Sequence, residues 1–302
     1  MQNWDIVLLT EDRYCEPVTI TPYIQNILDD DRLLMDALTA ENFKVVRKSW
    51  SDPDFDWSTT KFCIFRTTWD YFDRFENFSN WFNGTAKKTH FINSELLIRW
   101  NLDKHYLADL KAKNINIVET LFIEAGYGDS LTSLFKNSGF HDAILKPAIS
   151  GAARHTYKLN AENISQHEDI FKSLIANEAM LLQPFQQEII TNGEVAFMLM
   201  GGKFTHAVLK KAKPGDFRVQ DDFGGTLHDY HPTSEEILFA EQAIAACPQQ
   251  PLYARVDMIR DNYGKLAIME LEIIEPELWL RRNPESAIAF AKSVKNYINN
   301  YE

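Results

Sequence analysis

The chain has 302 residues, of which 45% are hydrophobic and 25% are charged, an ordinary composition for a globular protein with a substantial core. This length corresponds to about two or three domains. The formal net charge of -12 repels nucleic acid and anionic membranes, so we expect neither as a partner. An anionic ligand would need a local cluster of positive side chains.

Cysteine usage and the N-terminal sequence bear on where the protein is found. Cys15, Cys63 and Cys247 are odd in number and far apart, which is typical of reduced thiols in a cytoplasmic protein. The apolar run 6–9 is too short for a signal peptide, and no apolar stretch approaches the about 20 residues of a membrane span. We therefore expect a cytoplasmic protein.

Strand and helix patterns alternate over roughly the first hundred residues, which predicts a small parallel α/β layer. Strands are expected in short apolar runs, and helices where apolar residues recur every three or four positions. In chain order the expected elements are a strand at 6–9, a helix at 24–38, strands at 43–46 and 62–65, and a helix with Tyr71, Phe75, Phe78 and Phe82 on one face.

The next stretch predicts one helix and two strands. Asn101 is expected to cap a helix whose apolar face carries Tyr106, Leu107 and Leu110. Strands are expected at 115–122 and 143–147, with Pro147 ending the second.

From residue 180 onward the pattern changes to longer strands, as in an antiparallel meander. The boundaries of the three expected domains therefore lie near residues 100 and 180, giving domains 1–100, 101–180 and 181–302. The expected elements are strands at 180–185, 195–200 and 205–209 with a Gly201-Gly202 hairpin turn, a mobile polar loop at 210–226, a helix behind a Thr233/Glu236 capping box, strands at 253–259 and 267–274, and a helix after Asn283-Pro284.

The strongest chemical signal is charge placed inside the last two apolar strands. Arg255 and Asp257 are two residues apart, as are Glu270 and Glu272, so each pair shares one face of its strand. Paired as a hairpin, the strands would gather three carboxylates, which repel one another unless a cation lies between them. Magnesium prefers such hard oxygen ligands. The alternative is the exposed polar face of a half-solvated sheet.

Three lysines suggest a site for an anion. Lys146 and Lys210 each end an apolar strand, and Lys104 lies in the expected first turn of a helix, where the helix dipole disfavours a cation. Each is singly typical of a solvated lysine. Together with the small-residue loop 150–153, which can expose backbone N–H groups, they predict a triphosphate site. The chain has no Walker sequence.

The order of these motifs resembles the ATP-grasp superfamily, in its branch of glutathione-synthetase-like and RimK-like ligases. The stretches 66–71 and 99–107 resemble the subgroup of the cyclo-ligase of cycloserine biosynthesis, an O-ureido-serine cyclo-ligase. The set of motifs is specific, although no single one is. In chain order the motifs are Lys146-Pro147 with its loop, Leu182-Gln183-Pro184-Phe185, Gly193-Glu194, Gly202-Lys203-Phe204, Lys210, Arg218, Gly224-Gly225, Arg255-x-Asp257 and Glu270-x-Glu272.

The resemblance implies an α/β fold in which an N-terminal parallel pre-ATP-grasp domain precedes two α+β subdomains that sandwich a nucleotide. It also implies ligands for ATP and for magnesium or manganese ions. The implied phosphate contacts are Lys104, Lys146, Lys210, Ser150 and Gly151; the adenine contacts are Gln183, Pro184 and Phe185; the ribose contact is Glu188 or Gln187; and the metal ligands are Asp257, Glu270 and Glu272.

The reaction implied by the resemblance is an ATP-dependent ligation of a carboxylate to an amine through an acyl phosphate, on an amino-acid-like substrate. Arg255 would stabilise the tetrahedral intermediate, and Arg218, on the loop with Gly224 and Gly225, would close over the substrate. A homodimer is common among the relatives. Two alternatives stay open: a small-molecule kinase of the same fold, and a nucleotide-binding module that has lost catalysis.

Arg66, Trp69 and Asp70 are the candidates for substrate selection. They follow the end of a strand in the first domain, where ligands of α/β sheets bind. Arginine can hold a carboxylate by two parallel hydrogen bonds, and Asp70 would meet an ammonium group. The alternative is that Asp70 is a helix N-cap beside packed aromatic residues.

Overall fold

A computed structural model describes residues 3–151, 153–219 and 223–301 of the chain. The described residues form a mixed α/β structure with one parallel sheet and two antiparallel sheets, which confirms the predicted fold class. No helix in these ranges combines the length and the apolar character that crossing a bilayer requires.

The elements of the described residues are numbered in chain order. The strands are β1 Trp4–Thr10, β2 Val45–Ser49, β3 Thr60–Thr67, β4 His90–Ile92, β5 Leu121–Ile123, β6 Asp142–Pro147, β7 Tyr157–Asn160, β8 Met180–Pro184, β9 Glu194–Met200, β10 Lys203–Lys211, β11 Thr226–Asp229, β12 Tyr253–Arg260 and β13 Leu266–Glu272. The helices are α1 Asp12–Cys15, α2 Pro22–Ala40, α3 Phe75–Thr85, α4 Glu95–Asn101, α5 Tyr106–Ala112, α6 Leu131–Ser138, α7 Glu168–Ile175, α8 Glu188–Thr191, α9 Ser234–Ala245 and α10 Glu285–Tyr301.

The first sheet is parallel, with strand order β2-β1-β3-β4, so the predicted α/β layer is confirmed. Its central strand β1 is apolar on both faces because each face is covered. Ile6 and Leu8 belong to one core cluster with residues of α2 and α10, whereas Val7 and Leu9 belong to an aromatic cluster with residues of α3. This sheet therefore separates two cores.

The second sheet is antiparallel, with strand order β5-β8-β6-β7. It includes β8, so the expectation that this strand belongs to the later meander is wrong. The strand expected at 115–122 is also shorter: β5 begins at Leu121, and Ile117 instead forms an isolated bridge with Ile268 of β13. The division into three domains stays a prediction.

The third sheet is antiparallel, with strand order β11-β10-β9-β12-β13. The predicted hairpin between β9 and β10 is present, and it turns at Gly201 and Gly202, whose φ angles of 58° and 84° suit glycine. The Thr233/Glu236 capping box at the start of α9 is confirmed. β10 and β11 take up both ends of the expected loop 210–226, whose residues 220–222 lie outside the described ranges.

Asn101 has a different position from the one expected. It is the last residue of α4, and His105 precedes α5, so Asn101 does not cap that helix. Its buried side chain instead bonds β13: Nδ2 donates to the Leu271 carbonyl at 2.8 Å, and Oδ1 accepts from the Ile273 amide at 3.0 Å. Asn101 therefore holds the backbone on both sides of Glu272.

Candidate active site

A cavity of about 670 Å³ is lined by residues from all three sheets, a volume within the usual range for small-molecule sites. The first sheet and the residues that follow its strands contribute Tyr14 and Trp69, and the second sheet contributes Lys146 and Gln183. The third sheet contributes half of the charged side chains in this lining. These are Glu194, Lys210, Arg255, Asp257, Glu270 and Glu272.

Strand register brings the charged residues of the third sheet together. In the antiparallel pair β12 and β13, Asp257 is opposite Glu270 and Arg255 is opposite Glu272. Because side chains two residues apart share a face, all four lie on the cavity side. The sequence pattern therefore corresponds to one charged surface and not to an exposed polar face.

Cations pair with each of these carboxylates. Asp257 accepts from Lys210 Nζ at 2.7 Å and from Arg255 Nε at 2.9 Å, and Arg255 also pairs with Glu272. Glu270 Oε1 lies 3.1 Å from Lys104 Nζ. No group of three or more acidic, histidine or cysteine side chains is arranged as a metal site within the described residues. The donor set, three hard carboxylates on neighbouring strands, nevertheless fits magnesium.

The cations decide how the carboxylates ionise. Burial raises the pKa of Asp257, but Arg255 and Lys210 outweigh it and the net pKa lies below its ordinary value. The pKa of Glu270 is likewise lowered, because Lys104 and Lys146 outweigh burial. Burial raises the pKa of Glu272 to about 7, although Arg255 opposes this rise. Asp257 and Glu270 therefore ionise more readily than Glu272.

Lys104 and Lys146 line the cavity at the small-residue loop. Lys104 lies in a turn before α5 and not within its first turn, which corrects the sequence expectation, and its Nζ donates to the Ser150 carbonyl at 2.5 Å. The side chain of Lys146 forms no hydrogen bond or ion pair with any described residue. Burial lowers its pKa, with Glu270 opposing and Lys104 adding to the decrease. Of the loop, Ser150 and Gly151 line the cavity, whereas Ala152 lies outside the described residues.

The segment after β8 carries the predicted adenine contacts. Gln183 and Pro184 line the cavity. Phe185 does not, and its backbone is already bonded: its N–H donates to Asp142 O at 2.9 Å, and its carbonyl accepts from Asn262 Nδ2 at 2.9 Å. The predicted adenine contact of the Phe185 backbone stays a prediction.

The predicted ribose contact stays a prediction. Glu188 begins the short helix α8, and neither it nor Gln187 is among the described residues that line the cavity. Glu194, at the start of β9, does line the cavity, and its Oε1 lies 2.5 Å from Lys210 Nζ. Glu194 was missed as a site residue, although the Gly193-Glu194 motif gave the signal that could have identified it.

Arg218 lines the cavity, with its guanidinium held by Asp216. Two hydrogen bonds of 3.1 and 2.8 Å join the groups, and the Phe223 ring lies 3.8 Å from the guanidinium carbon. Gly224 has a φ of 80°, which favours glycine. Gly224 and Gly225 do not line the cavity in the described part of the chain.

The three candidates for substrate selection have different positions. Arg66 is buried, pairs with Asp31 at 3.2 Å and donates to the Pro276 carbonyl, so it is a structural residue and the predicted carboxylate contact is corrected. Asp70 accepts from Trp50 Nε1 at 2.7 Å and pairs with Arg74. It does not cap α3, and the predicted ammonium contact is corrected too. Trp69 lines the cavity.

The segment after β13 supplies cavity residues that sequence reasoning missed. Glu275, Glu277 and Trp279 alternate with buried residues and line the cavity. Burial, followed by the charge of Glu272, raises the pKa of Glu275 to about 8. Their spacing of two residues was a usable signal, although it is shifted by one residue from the alternation of Glu270 and Glu272 in β13.

The sequence of the chain is similar to known proteins. The family model described as D-cycloserine synthetase DcsG, N-terminal domain, matches residues 6–93. The chain is 26% identical over 262 residues to the cycloserine biosynthesis protein DcsG of Streptomyces lavendulae, covering 81% of this chain and 86% of that protein.

Two solved structures share the fold. The crystal structure of D-cycloserine synthetase DcsG superposes with a TM-score of 0.84 at 23% identity, covering 97% of this chain and 99% of that one. The RimK domain ATP-grasp protein of Sphaerobacter thermophilus gives a TM-score of 0.67 at 13% identity, covering 96% of this chain and 98% of that one. The chain therefore has the ATP-grasp fold. It is similar to D-cycloserine synthetase DcsG over most of its length.

Proposed function

We propose that this protein is an ATP-dependent ligase that joins a carboxylate to an amine through an acyl-phosphate intermediate, on an amino-acid-like substrate, and releases ADP and phosphate. The observation that carries the proposal is that Lys104, Lys146 and Lys210 line the same cavity as Arg255 and the three carboxylates of β12 and β13. The similar protein DcsG is a D-cycloserine synthetase, which favours an amino-acid-derived substrate.

The lysines provide the positive charge that a triphosphate needs. Lys146 forms no close ion pair with an acid of the described residues, and burial lowers its pKa although the charge of Glu270 opposes this decrease. An anion beside it would restore its ordinary charge state. Lys104 and Lys210 are held in place by Glu270 and Asp257, so their positions are fixed before the nucleotide binds.

Asp257, Glu270 and Glu272 would hold magnesium or manganese ions. Their oxygens are the hard ligands that these ions prefer, and Asp257 and Glu270 have lowered pKa values, which favours the ionised form that coordinates. Bound there, the ion would neutralise charge on the phosphates. Lys104, Lys210 and Arg255, which pair with these carboxylates, also line the cavity and would contact the anionic substrate groups.

The proposed reaction has two steps. A substrate carboxylate oxygen attacks the γ-phosphorus of ATP, and ADP leaves. The amine nitrogen then attacks the acyl carbon, phosphate leaves with that carboxylate oxygen, and the nitrogen loses a proton. Arg255 is fixed by Asp257 and Glu272 and lies 5.4 Å from the centre of the Trp279 ring, so its charge is preorganised for the oxygen of the tetrahedral intermediate.

Arg218 and its loop are the proposed cover of the site. Arg218 lines the cavity, and Gly224 adopts a backbone conformation that favours glycine. Closure of the loop, with Gly224 and Gly225 absorbing the backbone change, would exclude water that hydrolyses the acyl phosphate.

The test is a screen for phosphate release from ATP with single amino acids and with pairs of them, in the presence of magnesium. We expect release with one compound if carboxylate and amine lie in the same molecule, and with a pair if they do not. Lys146→Met and Glu270→Gln should abolish it. Unchanged release in both variants would contradict the proposal, and a stable phosphorylated product with no amine requirement would favour a kinase.

A further inference from the structure

One carboxylate in the cavity has no positive partner. The cavity-lining carboxylates of the described residues are Glu194, Asp257, Glu270, Glu272, Glu275 and Glu277. All except Glu275 form an ion pair with a lysine or arginine. Glu275 forms no ion pair with any residue that the structure describes. Burying an acidic side chain without a partner is unfavourable, so this position favours a ligand that brings a positive charge.

The side chains around Glu275 do not replace the missing positive partner. Its carboxyl group is hydrogen-bonded to the hydroxyl of Tyr71, a buried side chain. The nearby charges are Glu272, which acts against ionisation, and the more weakly acting Lys104, which favours it. The raised pKa follows from burial first and from Glu272 second. A cation bound here would lower it.

Two aromatic side chains that pack against each other line the same cavity, and one of them is hydrogen-bonded to the backbone of Glu275. Trp69 Nε1 donates to the backbone carbonyl of Glu275 at 2.8 Å, which fixes the indole next to it. The ring of Tyr14 meets the indole edge to face, with centroids 5.8 Å apart and planes at 77°. Both rings line the cavity. Aromatic faces attract ammonium groups, and they do so most strongly where water is excluded.

We propose that Glu275, Trp69 and Tyr14 form the subsite that binds the ammonium group of an amino-acid substrate. The inference rests on the proposed function, because it assigns a position to the amino group of that same substrate. The carboxylate accepts hydrogen bonds from the ammonium group and balances its charge, and the rings shield the pair from water. A substrate that lacks the amino group leaves Glu275 without a partner.

The first test measures binding and needs no turnover. The probes are alanine and serine in both configurations, each paired with the same acid without its amino group, propionate or 3-hydroxypropionate. Affinities come from saturation-transfer NMR titrations with a non-hydrolysable ATP analogue bound. We expect at least one amino acid to bind about 10- to 100-fold more tightly than its partner, as a charged hydrogen bond allows.

Glu275→Gln should remove this preference, since it keeps the shape of the side chain and loses the charge. The matched control is Glu162→Gln, which removes one exposed carboxylate and should keep the preference. Equal binding of amino and deaminated acids by the unmodified protein would overturn the proposal. So would an unchanged preference in Glu275→Gln. The first measurement keeps the proposal testable even if the variant fails to fold.

The second test uses turnover with a substrate from the screen. Glu275→Gln should raise KM for the amino acid about 10- to 100-fold and leave kcat and KM for ATP nearly unchanged. A fall in kcat at unchanged KM would overturn the proposal, because the group would then move a proton instead of binding an ammonium. A protein that binds amino acids through Glu275 yet releases no phosphate would contradict the proposed function alone.

Discussion

Lys146 and Lys210 lie in one cavity and differ in their partners. Lys210 Nζ contacts Glu194 at 2.5 Å and Asp257 at 2.7 Å, so it neutralises two buried carboxylates. Lys146 contacts no acid of the described residues at such a distance, and burial lowers its pKa. The first lysine therefore stabilises the folded chain, whereas the second is retained at some cost to stability. A ligand explains why it is retained.

Replacing each lysine with methionine separates these two roles. Lys210→Met leaves buried carboxylates unpaired and should lower the free energy of unfolding by about 3–5 kcal/mol. Lys146→Met removes an unpaired charge, so the free energy of unfolding should stay the same or rise by about 1 kcal/mol. Urea unfolding measures both. An equal loss in the two variants would contradict this account of Lys146.

His206 should make stability depend on pH. Its Nε2 donates to the Leu278 carbonyl at 2.9 Å, and burial lowers its pKa from 6.5 to about 4, against the opposing effect of these backbone hydrogen bonds. Between these two values the unfolded chain binds a proton that the folded chain does not. Stability is therefore present above pH 6.5 and is lost as the pH falls toward 4.

The matching measurement compares unfolding free energies near neutral pH and in mild acid, at about pH 7 and pH 4.5. His206→Gln keeps a donor for Leu278 and should lose less stability over this interval than the unmodified chain, by about 2 kcal/mol. His231→Gln, on an exposed position, should behave like the unmodified chain. Identical pH dependence in His206→Gln and the unmodified chain would refute the assignment.

At the scale of elements, two buried asparagines attach the last strands to the first sheet. Asn93, which follows β4, donates to the carbonyls of Tyr253 and Ile273 at 2.9 and 2.8 Å. Asn101, at the end of α4, bonds Leu271 and Ile273. Because Glu270 and Glu272 alternate with these bonded residues, the two side chains hold the strand that carries the acids.

Removing the hydrogen bonds of one of these asparagines should lower both the stability of the fold and the affinity of the site for nucleotide. Asn101→Ala leaves a buried carbonyl and a buried amide without partners, at about 1–3 kcal/mol for each group. We expect the free energy of unfolding to fall by at least about 2 kcal/mol and the ATP-analogue affinity to fall with it. Asn83→Ala, which removes a contact with exposed Arg99, is the control and should change little. Equal losses in the two variants would contradict this role of Asn101.

At the scale of the whole molecule, local periodicity predicted most elements but not all of their partners. The apolar runs of β1, β3, β6, β9 and β12 lie where the pattern predicted them, because burial fixes the period of each strand. β8 was assigned to the wrong sheet, since its pattern is the same whichever neighbour it pairs with. Sheet membership depends on contacts distant in sequence, which a local pattern does not contain.

The same reasoning explains which site residues were predictable. Arg255, Asp257, Glu270 and Glu272 share a face because side chains alternate along a strand, and antiparallel pairing brings them together. Arg66 was misread because its partner Asp31 lies on α2, far away in the sequence. Glu194 and Glu275 were missed as site residues because only the tertiary structure shows that they line the cavity. The predicted homodimer stays a prediction.

The acyl phosphate is the central claim, and oxygen transfer tests it most directly. A substrate from the screen is prepared with ¹⁸O in its carboxylate, and the phosphate released during turnover is analysed by mass spectrometry. If the carboxylate attacks ATP, one labelled oxygen leaves with each phosphate, because the amine attacks carbon. Formation of the amide-type product with release of unlabelled phosphate would contradict the account.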